Sequence, residues 1–152
     1  MRVRAGVVLI ENGQVALIER YRADKHYYVF PGGGADVDET PEQAAIREME
    51  EETGLRVTIK HKVAEIHFDL SVQHYFLVER VGGEFGSGTG EEFTDADPNN
   101  PAQGIYIPTW MALAELRKHH NYVYPAEVAK LAVNSISAGW PDKPVLVVEK
   151  LK

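Results

Sequence analysis

The segment from Gly33 to Leu55, GGADVDETPEQAAIREMEEETGL, restricts the fold more than any other part of this chain. Thr40 and Gln43 form a Thr-x-x-Gln capping box, Pro41 suits the first helical turn, and Gly54 stands where a left-handed C-terminal cap is wanted. The spacing therefore predicts a helix between them. At about 100° per residue, Glu48, Glu51 and Glu52 share one stripe, while Ile46, Met49 and Thr53 fall on a separate arc that can face a core. Eight acidic residues against Arg47 alone give the segment a charge of −7, equal to the formal charge of the whole 152-residue chain. Neighbouring carboxylates on one stripe repel each other when bare. A divalent cation relieves that repulsion, because hard cations take oxygen ligands and sit between carboxylates. Arg47 lies one turn before Glu51 and can pair with it or with Glu50. Upstream, Phe30-Pro31-Gly32-Gly33-Gly34 is a turn whose glycines let backbone approach a ligand closely and offer carbonyls to a cation. Turn and helix together read as a phosphate-and-Mg²⁺ site.

The rest of the chain sets bounds. With 44% hydrophobic residues over this length, it supplies the core of one domain, expected to span residues 1–152. The acidic balance opposes general attraction to nucleic acid or to a membrane surface, so neither is expected as a partner. With no cysteine, thiol catalysis, disulfides and cysteine zinc sites are excluded. The apolar run after MRVR is brief and alternates like a strand, unlike a signal peptide, and no stretch is long enough to span a bilayer; a cytoplasmic location is expected. Val3 to Ile10 and Val15 to Arg20 read as strands joined by Asn12-Gly13, a strong hairpin signal. Val57 to Leu70 and Val72 to Val81 read as two more. Residues 82–104, rich in Gly, Ser, Asp, Asn and Pro, read as a long surface loop. After Ile105-Tyr106-Ile107, Thr109 is expected to cap a short helix through Lys118. Pro125 should open another to about Ile136, stopped by Gly139, and Val145 to Val148 reads as a last strand or extended tail.

The acidic segment resembles the signature of the Nudix hydrolases. That pattern is Gly, five residues, Glu, seven residues, Arg-Glu-apolar-x-Glu-Glu-x-Gly-apolar. Here Gly33, Glu39, Arg47, Glu48, Met49, Glu51, Glu52, Gly54 and Leu55 fill every fixed position. Outside it, the Phe-Pro-Gly-Gly entry, the Tyr75-Phe76-Leu77-Val78-Glu79-Arg80 strand and the Trp110…Leu113…Leu116 segment extend the likeness. The resemblance implies an α/β fold, an α/β/α sandwich with a mixed sheet between helices. It implies Mg²⁺-dependent hydrolysis (Mn²⁺ substituting) of a pyrophosphate bond in a nucleoside diphosphate linked to another group. Carried over, Glu51 and Glu52 are metal ligands, joined by the Gly32 carbonyl, and Glu48 is either a ligand or the general base. Glu39 orients the loop or reaches an outer ion, and Arg47 fixes Glu48 or Glu51. Glu91 and Glu92, with Glu84 behind them, are candidates for a further loop glutamate that relatives often carry.

Arg20 and Arg22, with Gly32 and Gly33, are the expected contacts for substrate phosphates. Tyr21, Tyr28, Phe85 and Phe93 are candidates to stack on a base. Ala23-Asp24…His26 and the Tyr-Phe-Leu-Val-Glu-Arg strand resemble MutT-type members acting on nucleoside triphosphates, oxidised purine forms included. ADP-ribose, nucleotide sugars and dinucleoside polyphosphates are the alternatives, as is a non-catalytic nucleotide-sensing module. The last tends to lose the carboxylates retained here. Relatives are often homodimers. His67 and His74 read as satisfied sheet histidines, and Gly86-x-Gly88-x-Gly90 as a mobile loop, lacking the Lys-Ser/Thr of a phosphate-binding loop.

Overall fold

The computed structural model describes residues 2–22, 24–88 and 105–149. Its elements, in chain order, are β1 (Arg2–Val8), β2 (Ile10–Glu11), β3 (Gln14–Arg22), β4 (Lys25–Val29), β5 (Gly32–Gly34), α1 (Pro41–Thr53), β6 (Leu55–Phe68), β7 (Ser71–Gly83), β8 (Ile105–Ala112), α2 (Leu113–His119), β9 (Val123–Tyr124), α3 (Ala126–Ala138) and β10 (Val145–Glu149). One mixed sheet runs β10-β6-β7-β1-β5. Its β1–β7 and β10–β6 pairs are parallel, and its β6–β7 and β1–β5 pairs antiparallel. A second sheet runs β2-β3-β4-β9, with β8 also paired to β3.

The mixed sheet is covered on both faces. Along β1, Ala5 and Val7 point towards α1, where they meet Ala44, Ala45 and Met49 together with Phe76 and Val78 of β7. Val8 points the other way, into a core with Val15, Leu17, Val63, Leu77, Leu116 of α2 and Val128, Ala129 and Ala132 of α3. Burial on two sides explains why Val7, Val8 and Leu9 are consecutively apolar, all at 2% exposure or less. It also explains a departure from the expected Val3–Ile10 hairpin arm. Asn12 and Gly13 do turn with positive φ (53° and 74°), as a type I′ turn needs, but only Ile10 and Glu11 pair with β3. The chain before Leu9 diverges into the mixed sheet, where both faces of an apolar strand find cover.

Helix α1 has the caps its sequence promised. Thr40 Oγ1 accepts from Gln43 N, Gln43 Oε1 accepts from Thr40 N, and Gly54 (φ 85°) donates to Glu50 O at 2.8 Å. A Cβ on Gly54 would stand 2.1 Å from Ser87 Oγ and 2.5 Å from Glu84 O. The start of the glycine-rich loop thus packs on the helix end, with Gly86 N donating to Thr53 O at 2.8 Å. Residues 84–88 are therefore docked rather than loose, and the remainder of that loop lies outside the described residues. The core arc differs by one member: Met49 and Thr53 are buried with Ala44 and Ala45, whereas Ile46 is 37% exposed. The two alanines let the helix axis approach β1 closely, which rotates Ile46 off the contact.

Thr109 does not cap a helix. β8 continues through Ala112, pairing residue by residue with β3 from Tyr21↔Ile105 to Gln14↔Ala112, and Thr109 lies opposite Leu17. α2 begins only at Leu113, without a side-chain cap. A ladder of backbone bonds across eight residue pairs outweighs the contribution of one capping hydroxyl. α3 follows the expected Pro125–Gly139 frame. His67 and His74 do not meet each other; both reach Glu65, at 2.7 Å and 3.4 Å. Lys62 and then His67 hold that carboxyl down at about 2.

Met49 is fully buried between α1 and the sheet. Met49→Ala should lower stability by about 2–5 kcal/mol in urea unfolding monitored by circular dichroism.

Candidate active site

β5 is the edge strand of the mixed sheet and is made of three glycines. With no side chains on that edge, acidic groups of α1 can come up against its backbone. Gly32 N donates to Glu52 Oε2 at 3.2 Å. A Cβ added to Gly33 would stand 2.5 Å from the carboxyl carbon of Glu48. Both carboxylates line a cavity of about 720 Å³ between the two sheets, although Glu52 is only 8% exposed. The other walls include Arg4, Gln73 and Tyr75 of the mixed sheet, Arg20 of β3, Tyr106 of β8, and Tyr124 with Glu127 at the β9–α3 junction. The Arg20 guanidinium lies over the Tyr106 ring, 3.9 Å from its centroid. Its Nε is buried and has no hydrogen-bond partner among the described residues.

Arg47 organises the acidic wall. Its Nε and Nη2 donate to the two oxygens of Glu39 at 2.7 Å and 2.9 Å, and Nη2 also donates to Gly34 O at 3.0 Å. Nη1 donates to Glu48 Oε1 at 3.0 Å and to Glu51 Oε2 at 3.2 Å. One guanidinium fork therefore ties the glycine strand, the loop and three glutamates. Glu39 also accepts from Asp36 N at 2.9 Å, which fixes the loop before the helix. Arg47 beside it, and then that backbone bond, hold the Glu39 carboxyl at about 2. The same contacts push the Arg47 guanidinium further up from its ordinary value.

A NUDIX domain family model matches residues 1–129. This chain belongs to the Nudix family. It is a Nudix-type pyrophosphohydrolase. An 8-oxo-dGTP diphosphatase of Haemophilus influenzae is 34% identical over 132 residues, covering 81% of this chain and 96% of that protein. The 8-oxo-dGTP diphosphatase of Escherichia coli is 33% identical over 91 residues, 55% of this chain and 70% of that protein. Among solved structures, a NUDIX hydrolase from Nitrosomonas europaea shares the fold at a TM-score of 0.76 and 19% identity, covering 99% of this chain and 79% of that one. No helix among the described residues of this Nudix chain is long and apolar enough to cross a membrane.

Of the residues expected in the Nudix site, the structure brings Glu48, Glu52, Gly32, Gly33 and Arg20 to one cavity. Glu51, Arg47 and Glu39 stand beside it, joined through the guanidinium. Arg22 lies on a neighbouring surface and does not line it. Glu91, Glu92 and Phe93 lie outside the described residues. The expected base-stacking residues are engaged elsewhere: Tyr21 stacks on His26, Tyr28 bonds Glu19, and Phe85 packs on Trp110. The aromatic rings that do line the cavity are Phe30, Phe68, Tyr75, Tyr106 and Tyr124. Arg4 and Tyr106 were missed by sequence reasoning. Strand alternation sets each on the face opposite its apolar neighbours, and no local signal says that those faces of β1 and β8 meet at one cavity.

Glu39 carries a folded-state pKa well below the unfolded value near 4.5. Its bond to Arg47 therefore contributes stability in full above about pH 4.5 and loses it as pH falls towards 2. Glu39→Gln should melt below wild type at pH 7, and the two melting curves should converge as the pH is lowered through that window.

Proposed function

We propose that this enzyme hydrolyses nucleoside triphosphates, oxidised purine forms included, to the monophosphate and pyrophosphate with Mg²⁺. The observation that carries the reading is the polarity of the cavity. Glu48 and Glu52 stand on one wall, and Arg4 and Arg20 on others. The relative named 8-oxo-dGTP diphosphatase, aligned along most of both chains, supports the choice of substrate.

The donor set suits a hard divalent ion: carboxylate oxygens on consecutive turns of α1, beside glycines that were expected in a turn and instead form the edge strand β5. Among the described residues no three acidic or imidazole groups converge tightly enough to hold an ion unaided. Mg²⁺ is typically held by one or two carboxylates and completed by water and substrate phosphate. Glu52 would hold it with the Gly32 carbonyl, and Glu51 is the further carboxylate of the set. When bound, the ion neutralises charge on the phosphoryl oxygens. Arg20, held over Tyr106 with a buried Nε that has no partner among the described residues, would meet the phosphates from another wall. An oxygen–phosphorus bond forms from water, the bond to the bridging oxygen breaks, and its electron pair leaves with pyrophosphate. Glu48, oriented by the Arg47 bond to Oε1, takes the water proton.

Replacing Glu48 or Glu52 by Gln separates these roles while keeping side-chain size. Glu52→Gln should raise the Mg²⁺ concentration needed for half-maximal rate. Glu48→Gln should lower kcat by about 10²–10⁴ with little change in that requirement. The assay is pyrophosphate release from normal and oxidised nucleoside triphosphates, ADP-ribose and a nucleotide sugar, with Mg²⁺ or EDTA. Intact Mg²⁺-dependent turnover in both variants, or release that ignores EDTA, would sink the assignment.

A further inference from the structure

Helix α1 carries Glu51 and Glu52 in its last turn, where a helix is least able to hold them by itself. The final carbonyls of a helix have no partners further along it, so helix ends fray. The negative end of the helix dipole lies there too and disfavours acidic side chains. The last turn of α1 reads Glu50-Glu51-Glu52-Thr53 and contains no basic residue. Arg47 reaches Glu51 from one turn earlier, but that bond acts on a side chain and leaves the terminal carbonyls to other groups.

Those groups come from the segment after β7. Gly86 N donates to Thr53 O at 2.8 Å. Gly88 lies against the carbonyls just before it: a Cβ there would stand 2.5 Å from Glu51 O, 2.7 Å from Glu52 C and 2.8 Å from Glu52 O. All three are backbone atoms, which cannot swing aside as the end of a side chain can. Ser87 Oγ donates to Glu84 O at 2.6 Å and closes the turn in which Gly86 takes a φ of 94°. On its other side the segment is anchored by Phe85, whose ring packs on Trp110 with centroids 4.8 Å apart. Trp110 stands on β8 opposite Ala16 of β3, so the anchor belongs to the second sheet. Residues 85–88 therefore form a strap, fastened to β8 at Phe85 and pressed on the last turn of α1 at Gly86 and Gly88.

Resting on the Mg²⁺-dependent reading above, we propose that this strap positions the metal-binding turn. Phe85 and Gly88 are positioning residues: neither lines the catalytic cavity, and both act through the backbone of Glu51 and Glu52. Contact with those carbonyls fixes the backbone from which the two carboxylates reach the ion. Displacing the strap lets the turn fray and spreads the carboxylates over several positions, which weakens the ion without altering either ligand. Groups that orient metal ligands from behind contribute about 10–100-fold in affinity.

The test reads metal affinity apart from turnover. Mn²⁺ binding is followed by electron paramagnetic resonance in the presence of an α,β-methylene nucleoside triphosphate, whose P–C–P bridge is not cleaved. Gly88→Ala puts a methyl group against the Glu51 carbonyl, and Phe85→Ala removes the anchor on Trp110. Both should bind Mn²⁺ about tenfold more weakly than wild type. Phe85→Tyr keeps a ring on Trp110 and should retain wild-type affinity. Leu116→Val loosens the core on the other side of the sheet and should also bind as wild type, which separates positioning from a general loss of stability. Hydrogen exchange read by mass spectrometry should be faster across residues 50–54 in the two alanine variants. Wild-type affinity or unchanged exchange in both alanine variants overturns the proposal, as does equal weakening in Leu116→Val. If Glu52→Gln weakens Mn²⁺ binding and the alanine variants do not, the strap alone falls. If Glu52→Gln binds Mn²⁺ as wild type does, the metal assignment has failed and the strap's role falls with it.

Discussion

The contacts of Arg47 are what the functional half of this structure depends on. Glu48, Glu51 and Glu52 on one helical stripe would repel each other in water, and packing that stripe against backbone removes part of the solvent that screens them. A single guanidinium meets the problem by geometry as well as by charge. Its fork spans Glu39, Glu48, Glu51 and the Gly34 carbonyl at 2.7–3.2 Å. An ammonium has the same charge but no planar fork, so lysine could not reach these partners together. Glu52 is the member of the stripe for which the structure shows a different anchor, the Gly32 amide. The wall is thus assembled from both ends of one short loop.

That assembly works because β5 has no side chains. Any Cβ at Gly33 would occupy the place of the Glu48 carboxylate, and one at Gly32 would stand 2.2 Å from Ala5 O on β1. Glycine here serves close approach on both sides of a strand, to its neighbour in the sheet and to the helix beneath. The buried alanines of α1 play the matching part on the helix side, since Ala44 and Ala45 let the helix sit close to β1. Small residues thus set the distance, and the glutamates reach across it.

Local signals read well from sequence because each rests on one residue's own geometry. The Thr40–Gln43 box, the positive φ of Asn12, Gly13 and Gly54, and the Pro125–Gly139 frame all appear as expected. The failures share a cause: a long-range pairing overrode a local preference. Thr109 would cap a helix in isolation, but β3 offered an antiparallel partner through Ala112. The arm from Val3 would have paired along the whole hairpin, but β7 and β5 took it into the other sheet. The site behaved in the same way. The glutamates on α1 were legible because helical periodicity fixes their mutual positions. Arg4, Tyr106 and Tyr124 were not, because nothing in their local sequence says that three separate strands converge on one cavity.

The cavity also carries both charge signs, each held from its own side. Arg4 and Arg20 line the same space as Glu48 and Glu52. Arg47 holds Glu48 at 3.0 Å and the Gly32 amide holds Glu52 at 3.2 Å, so the acidic wall is fixed from α1 and β5. Arg20 is fixed from β8, over the Tyr106 ring. On the reading proposed above, a phosphate with its cation would meet both signs at once, the anion at the arginines and the cation at the carboxylates.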